Sequence, residues 1–327
     1  MRKICLMMLI RLLKNQRGKM IFYSSLELIG NTPLLELTHI QIPNKNRIFA
    51  KLESCNPAGG VKDRIALYIF QKLFKEGKLK KDSVVIEATA GNTGLGIAFV
   101  AQRFGCKVKL VVPDKFSIEK QTLARALGAE IIQTPAEKGM QGAIDKAKEL
   151  LEATPQSFSL NQFENPQNPY AHYLTTAAEI YTDMQTLYST RMPIFDYFVC
   201  GAGSGGSFSG CMRYFKEQDS HIQGVLCDPI GSIIGGGKEG CANIEGIGNN
   251  VIPQTMDTSL IDSVEKISDE EAYQGLRILA KKEGVLAGIS SGACLQACLK
   301  LANKVQNSII VTLFADDLSR YFSRNLI

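Results

Sequence analysis

Tyr197-Phe198-Val199-Cys200-Gly201-Ala202-Gly203-Ser204-Gly205-Gly206-Ser207-Phe208-Ser209-Gly210 joins an apolar run to a glycine-serine turn and then to a helical pattern. An apolar run without polar alternation suits a strand covered on both faces, and the pattern after it suits the helix that covers it. The same alternation repeats along the chain. Strands are expected at 48–52, 84–87, 108–112, 130–133, 197–200, 223–227 and 308–312. Helices are expected at 64–76, 93–104, 118–127, 140–151, 171–184, 207–216, 269–282 and 292–303. Repeated βα units give an α/β fold with mainly parallel sheets. The polar segment Asn161-Gln162-Phe163-Glu164-Asn165-Pro166-Gln167-Asn168-Pro169 divides these units into two groups, so two open, mainly parallel βα domains with a cleft between them are expected.

The length of 327 residues accommodates two such domains, and 45% hydrophobic with 21% charged residues excludes a disordered or collagen-like chain. The net charge of +5 raises the question of nucleic-acid or membrane binding, but its distribution answers it. Residues 1–19 carry six basic residues and no acid; the remainder has 31 basic against 32 acidic residues. The apolar run Ile4 to Ile10 ends at Arg11, too short to span a bilayer, and no small-x-small cleavage site follows it. Residues 1–19 are therefore expected to form a basic extension outside the fold, with Met20 a plausible true start. A surface-binding amphipathic piece and a targeting segment remain as alternatives, and a chain beginning at Met20 that lost folding or activity would contradict the first reading. Neither nucleic acid nor membrane is expected as a partner. Nine scattered cysteines, several inside apolar runs, point to reduced thiols in the cytoplasm, and the absence of CxxC and the wide separation of His39, His172 and His221 argue against a metal site.

Four turns carry the candidate chemistry. Asn56-Pro57-Ala58-Gly59-Gly60-Val61-Lys62-Asp63-Arg64 delivers Lys62 to a helix start, where the helix dipole and shielding from water lower an amine's pKa, as Schiff-base chemistry requires; a plain surface lysine is the alternative. Glu87-Ala88-Thr89-Ala90-Gly91-Asn92-Thr93-Gly94 offers small residues, hydroxyls and free N–H groups that suit a carboxylate, or simply a helix capped by Thr93. Gly201–Gly210 suits a phosphate at a helix N-terminus. Gly201, Gly203 and Gly206 also satisfy G-x-G-x-x-G, with Asp228 placed to act as a ribose-binding acid, which keeps a nicotinamide oxidoreductase open. Gly288-Ile289-Ser290-Ser291-Gly292-Ala293, taken alone, reads as a helix cap.

In this order the four motifs resemble the cysteine synthase and cystathionine β-synthase family of pyridoxal-phosphate (PLP) enzymes, which share the tryptophan-synthase-β-like fold. The likeness runs from about Leu26 to Arg320-Tyr321 and includes Leu28-Ile29-Gly30-Asn31-Thr32-Pro33-Leu34, Gln162-Phe163-Glu164-Asn165-Pro166, Thr175-Thr176 and Glu245-Gly246-Ile247-Gly248. It implies that Lys62 is catalytic and carries PLP as an internal aldimine in the cleft. Asn92 would hold the cofactor's phenolic oxygen, Gly203, Ser204, Gly205, Gly206 and Ser207 its phosphate, and Ser290 its ring nitrogen. Thr89, Ala90, Gly91, Thr93 and Gln162 would bind the substrate carboxylate. It further implies a smaller, mobile substrate-binding domain over 55–165, a larger phosphate-binding domain from 20–54 and 166–327, and a homodimer.

The implied reaction is β-replacement through an aminoacrylate, joining O-acetylserine to sulfide to make cysteine. Cystathionine synthesis from serine or O-acetylserine and homocysteine is the alternative, and a catalytically silent paralogue a distant one. Departures from the family pattern bear on the second substrate: Ala90 stands where serine is usual, Gly60 where serine is common, Ala177-Ala178 replaces Gly-Pro, and Ala315 replaces proline before Asp316. With seven residues after Arg320, no regulatory domain is expected.

Overall fold

The computed structural model describes residues 21–327 except Ala90, Lys115, Asn325 and Ile327. The basic extension 1–19 lies outside the described residues. Ten strands are β1 (Leu34–Glu36), β2 (Arg47–Leu52), β3 (Val84–Ala88), β4 (Lys107–Pro113), β5 (Glu130–Thr134), β6 (Ser157–Phe158), β7 (Tyr197–Gly201), β8 (Gln223–Pro229), β9 (Ser263–Ile267) and β10 (Ile309–Phe314). The α-helices are α1 (Lys62–Lys75), α2 (Asn92–Phe104), α3 (Ile118–Ala126), α4 (Gly139–Ala153), α5 (Gln167–His172), α6 (Ala178–Leu187), α7 (Gly206–Gln218), α8 (Asp269–Ile278) and α9 (Ile289–Ala302).

Two sheets result. The larger has the order β1-β2-β10-β7-β8-β9 and the smaller β5-β4-β3-β6. Every pairing is parallel except β1 with β2, so the α/β architecture with mainly parallel sheets is the observed one. Strand β10 shows why its sequence is apolar throughout. It lies between β2 and β7, with Ile310 opposite both Ile48 and Tyr197, and all six of its residues are buried. One face of the larger sheet packs on α8 and α9 through Ile48, Val199, Leu276, Ala293 and Leu295; the other packs on α6 and α7 through Ile180, Phe198, Phe208 and Phe215. The smaller sheet is likewise covered by α1 and α2 on one side and α4 on the other.

The sequence expectations need four corrections. Strands β1 and β6 are only three and two residues long, too short for a periodic signal. Strand β9 is masked by Glu265 and Lys266, which pair with Lys304 and Asp228 at the sheet edge. The expected helix at 171–184 is two α-helices joined by a π-helical stretch, Tyr173–Ala177, and that at 269–282 ends in another, Leu279–Glu283. The last helix starts at Ile289 and not at 292, so Ser290 sits inside its first turn. Among the described residues, no helix is long and apolar enough to cross a membrane.

Candidate active site

Strand ends and helix starts converge where the two sheets meet. The turn after β2 is closed by Gly59 N–H donating to Asn56 O at 2.7 Å, with Gly59 at φ +81°, a conformation that suits glycine. Val61 N–H then donates to Ala315 O at 2.9 Å, fastening the turn to the end of β10. Lys62 follows as the first residue of α1. Helix α2 lies hard against this point, since a Cβ on Gly96 would come within 2.9 Å of Lys62 O. Lys62 is half-buried as a residue, and removal of its amine from water lowers its pKa against the opposing pull of Cys200, Asp316 and Glu53. Lys62 thus stands at a helix start with its pKa lowered by removal from water.

Lys62 shares a cavity with Gly203, Ser204, Ser207 and Ser290, and Cys200 and Cys294 line it too. Helix α7 begins at Gly206 after Gly205 at φ +81°, and Ser204 and Ser207 at this helix start line the cavity. Gly205 and Gly206 do not line it; their bare Cα atoms pack instead against Met256 and Asn168, where a Cβ would approach to 2.5 and 2.0 Å. The loop is held from above as well: a Cβ on Gly203 would meet Gly246 O at 2.5 Å, and Gly248 N–H donates to Ala202 O. Ser290 is buried and lines the same cavity.

The remaining candidates form a second cluster. Thr89 follows β3 and accepts from Gly91 N–H at 3.3 Å, while Thr93 Oγ1 donates to Gln162 Oε1 at 2.6 Å. Thr93 is not the helix cap, because α2 begins at Asn92 after Gly91. Ala90 lies outside the described residues. Gln162 arrives on a loop gathered by the buried Glu87, whose Oε2 accepts from Ser159 Oγ at 2.5 Å and Leu160 N–H at 2.8 Å. Burial raises the Glu87 pKa, and these donors work against the rise. Asn92 connects the clusters: its Nδ2 donates to Asp316 Oδ2 at 2.7 Å and its Oδ1 accepts from Arg320.

Four residues at the site escaped the sequence reading as participants: Asn168, Thr255, Asp316 and Arg320. Asn168 Nδ2 donates to Ser204 Oγ at 3.0 Å and Gln162 O at 2.7 Å, and Thr255 Oγ1 donates to Ser204 O at 2.5 Å. These bonds join the glycine loop to the Gln162 loop, and no local spacing signals them. The acid considered for a ribose, Asp228, is fully buried and accepts from Lys266 Nζ at 2.6 Å and Gly235 N–H at 2.9 Å. Its complete burial, with Oδ2 held by those partners, takes away the structural support for a dinucleotide site.

Residues 26–316 match the model of a family described as "Pyridoxal-phosphate dependent enzyme". The chain is 45% identical over 310 residues to a Helicobacter pylori protein named cysteine synthase, covering 94% of this chain and 99% of that one. It is 42% identical over 301 residues to a Bacillus subtilis protein named O-acetylserine dependent cystathionine beta-synthase, covering 92% and 96%. A crystal structure titled O-acetylserine dependent cystathionine beta-synthase from Helicobacter pylori superposes with a TM-score of 0.87 at 45% identity, over 94% of this chain and 99% of that one.

Proposed function

Because the chain belongs to the pyridoxal-phosphate dependent enzyme family, we propose that it is a cysteine synthase, joining O-acetylserine and sulfide to give cysteine and acetate. The observation that carries this reading is the half-buried Lys62, its pKa lowered, opening into one cavity with a helix-start glycine loop and Ser290. That donor set fits PLP: an amine for its aldehyde, the hydroxyls and helix-start backbone of the glycine loop for its phosphate, and the Ser290 hydroxyl for its ring nitrogen. The space beside Gly246 supports the fit, since a Cβ there would meet nothing nearer than Ser290 Oγ at 4.0 Å.

When bound, PLP supplies the electron sink that stabilises charge at the amino acid's Cα. We assign the rest to this chain's residues. Lys62 holds the cofactor and then takes and returns the proton at Cα. Gly203, Ser204 and Ser207 hold the phosphate, with Gly205 and Gly206 allowing the loop its path. Ser290 is a neutral partner and does not force the ring nitrogen to remain protonated, which favours loss and addition at Cβ. Thr89, Ala90, Gly91, Thr93 and Gln162 bind the substrate carboxylate, and Asn92 donates to the cofactor's phenolic oxygen. Residues 55–165 serve as the substrate-binding unit that closes on 20–54 and 166–327, excluding water.

Cystathionine synthesis from homocysteine is the second reading, supported by Ala90 and by the name of the Bacillus subtilis relative. Assays of the purified protein with O-acetylserine or serine, each with sulfide or homocysteine, separate the two. Turnover confined to homocysteine would overturn cysteine synthesis. We further propose a cytoplasmic homodimer. The free cysteines among the described residues support the compartment, and the exposed Tyr170 and Leu174 support a covered face, testable by light scattering.

A further inference from the structure

Asparagine presents two ends of nearly equal shape, one donating and one accepting, and only its neighbours decide which faces a ligand. At Asn92 that decision is made from outside the smaller sheet. Nδ2 donates to Asp316 Oδ2 at 2.7 Å, and Oδ1 accepts from Arg320 Nη1. Asp316 follows β10, and Arg320 lies in the 3-10 segment Leu318–Arg324. A guanidinium can only donate and an ionised carboxylate can only accept, so turning the amide over would set donor against donor and acceptor against acceptor. Both partners are deeply buried, Asp316 at 1% and Arg320 at 3% exposure, which makes the wrong orientation more costly still.

We propose that Asp316 and Arg320 are positioning residues that fix the Asn92 amide so that it offers the site an N–H and withholds its carbonyl. The inference rests on the reading of Asn92 as a contact to the cofactor's phenolic oxygen, an acceptor that only the N–H end can satisfy. One N–H of Nδ2 is used by Asp316 and the other is left for that contact. Each partner is itself held. Tyr321 Oη donates to Asp316 Oδ2 at 2.5 Å, and Arg320 Nη2 donates to Ala58 O. The guanidinium also rests on the turn that delivers Lys62, where a Cβ on Gly59 would lie 2.6 Å from Nη2. One side chain thus sets the amide and the lysine turn relative to each other.

The test is a double-mutant cycle on the PLP-loaded enzyme with Asn92→Ala, Arg320→Met and both together, reading PLP dissociation constant and visible absorbance spectrum. Arg320→Met is expected to weaken PLP about tenfold and to shift the spectrum in the same sense as Asn92→Ala, the loss of one well-directed hydrogen bond to a charged group. In the Asn92→Ala background it is expected to add less than about twofold. Arg320→Lys, which keeps the charge but not the fork, is expected to recover part of both readouts. It carries the cycle if melting of the cofactor-free protein shows Arg320→Met to be misfolded. Equal losses with and without Asn92, or an unchanged affinity and spectrum in the Arg320 variants, would overturn the proposal. If Asn92→Ala itself changed neither readout, the cofactor contact of Asn92 would fall first and this inference with it.

Discussion

Lys62 combines three local conditions: it begins a helix, it sits behind a Gly-Gly turn fastened to β10, and it is shielded enough for its pKa to fall. Replacing it with alanine should remove the visible absorbance of the purified protein. Borohydride reduction followed by peptide mass analysis should place the cofactor's mass on Lys62 in the wild type and nowhere in the variant. Its neighbour Asp63 carries a different signature. Burial pushes this carboxyl up to about 7, despite the Ala58 N–H and Arg320 favouring its charge. An unfolded aspartate titrates near about 3.9, so between the two values the folded chain keeps a proton that the unfolded chain has released. The contribution of Asp63 is greatest below about pH 4 and is lost as pH rises through about 7. The stability of the wild type relative to Asp63→Asn should therefore fall by roughly 2–4 kcal/mol over that range, measured by urea unfolding at several pH values.

Helices α8 and α9 meet through glycines, and this contact positions the first turn that holds Ser290. A Cβ on Gly275 would lie 2.1 Å from Gly292 O, a backbone atom that cannot step aside. Gly275→Ala should cost about 1–3 kcal/mol in unfolding free energy, read as a lower urea midpoint, because the helices must separate. The sequence disclosed most elements of this size. Apolar β2, β4, β7 and β10 and the glycine turn before α7 stood out because buried parallel strands lack polar alternation. It concealed β9, where Glu265 and Lys266 imitate a loop until their partners Lys304 and Asp228 are known. The site was legible for the same reason wherever one turn carried its whole meaning, as around Lys62 and Gly203. It was illegible at Asp316 and Arg320, because they meet Asn92 across more than two hundred residues of chain.

Across the whole molecule, directed contacts tie α3 to the loop that follows β8 and to the C-terminal 3-10 segment. Lys120 of α3 reaches Glu245 Oε1 at 2.6 Å and lies 4.4 Å from the centre of the Tyr321 ring, while Ser323 N–H donates to Glu119 Oε1 at 2.6 Å. If residues 55–165 close over the substrate, these bonds favour the closed arrangement. Lys120→Met keeps the buried stem but removes the charge. It should raise the KM for the amino-acid donor several-fold while leaving kcat within about twofold, in steady-state kinetics.

Strand β2, near the start of the described chain, is sandwiched between β1 and β10, the last strand to be made. A ribosome can deliver every strand of the smaller sheet while β2 still lacks its parallel neighbour. Asp316 and Arg320 emerge later still, so the nascent polypeptide carries Asn92 for more than 200 residues of synthesis before the two groups that hold its amide arrive. The strand order of the larger sheet thus means that β2 gains its parallel neighbour, and Asn92 its two partners, only after most of the described chain has been made.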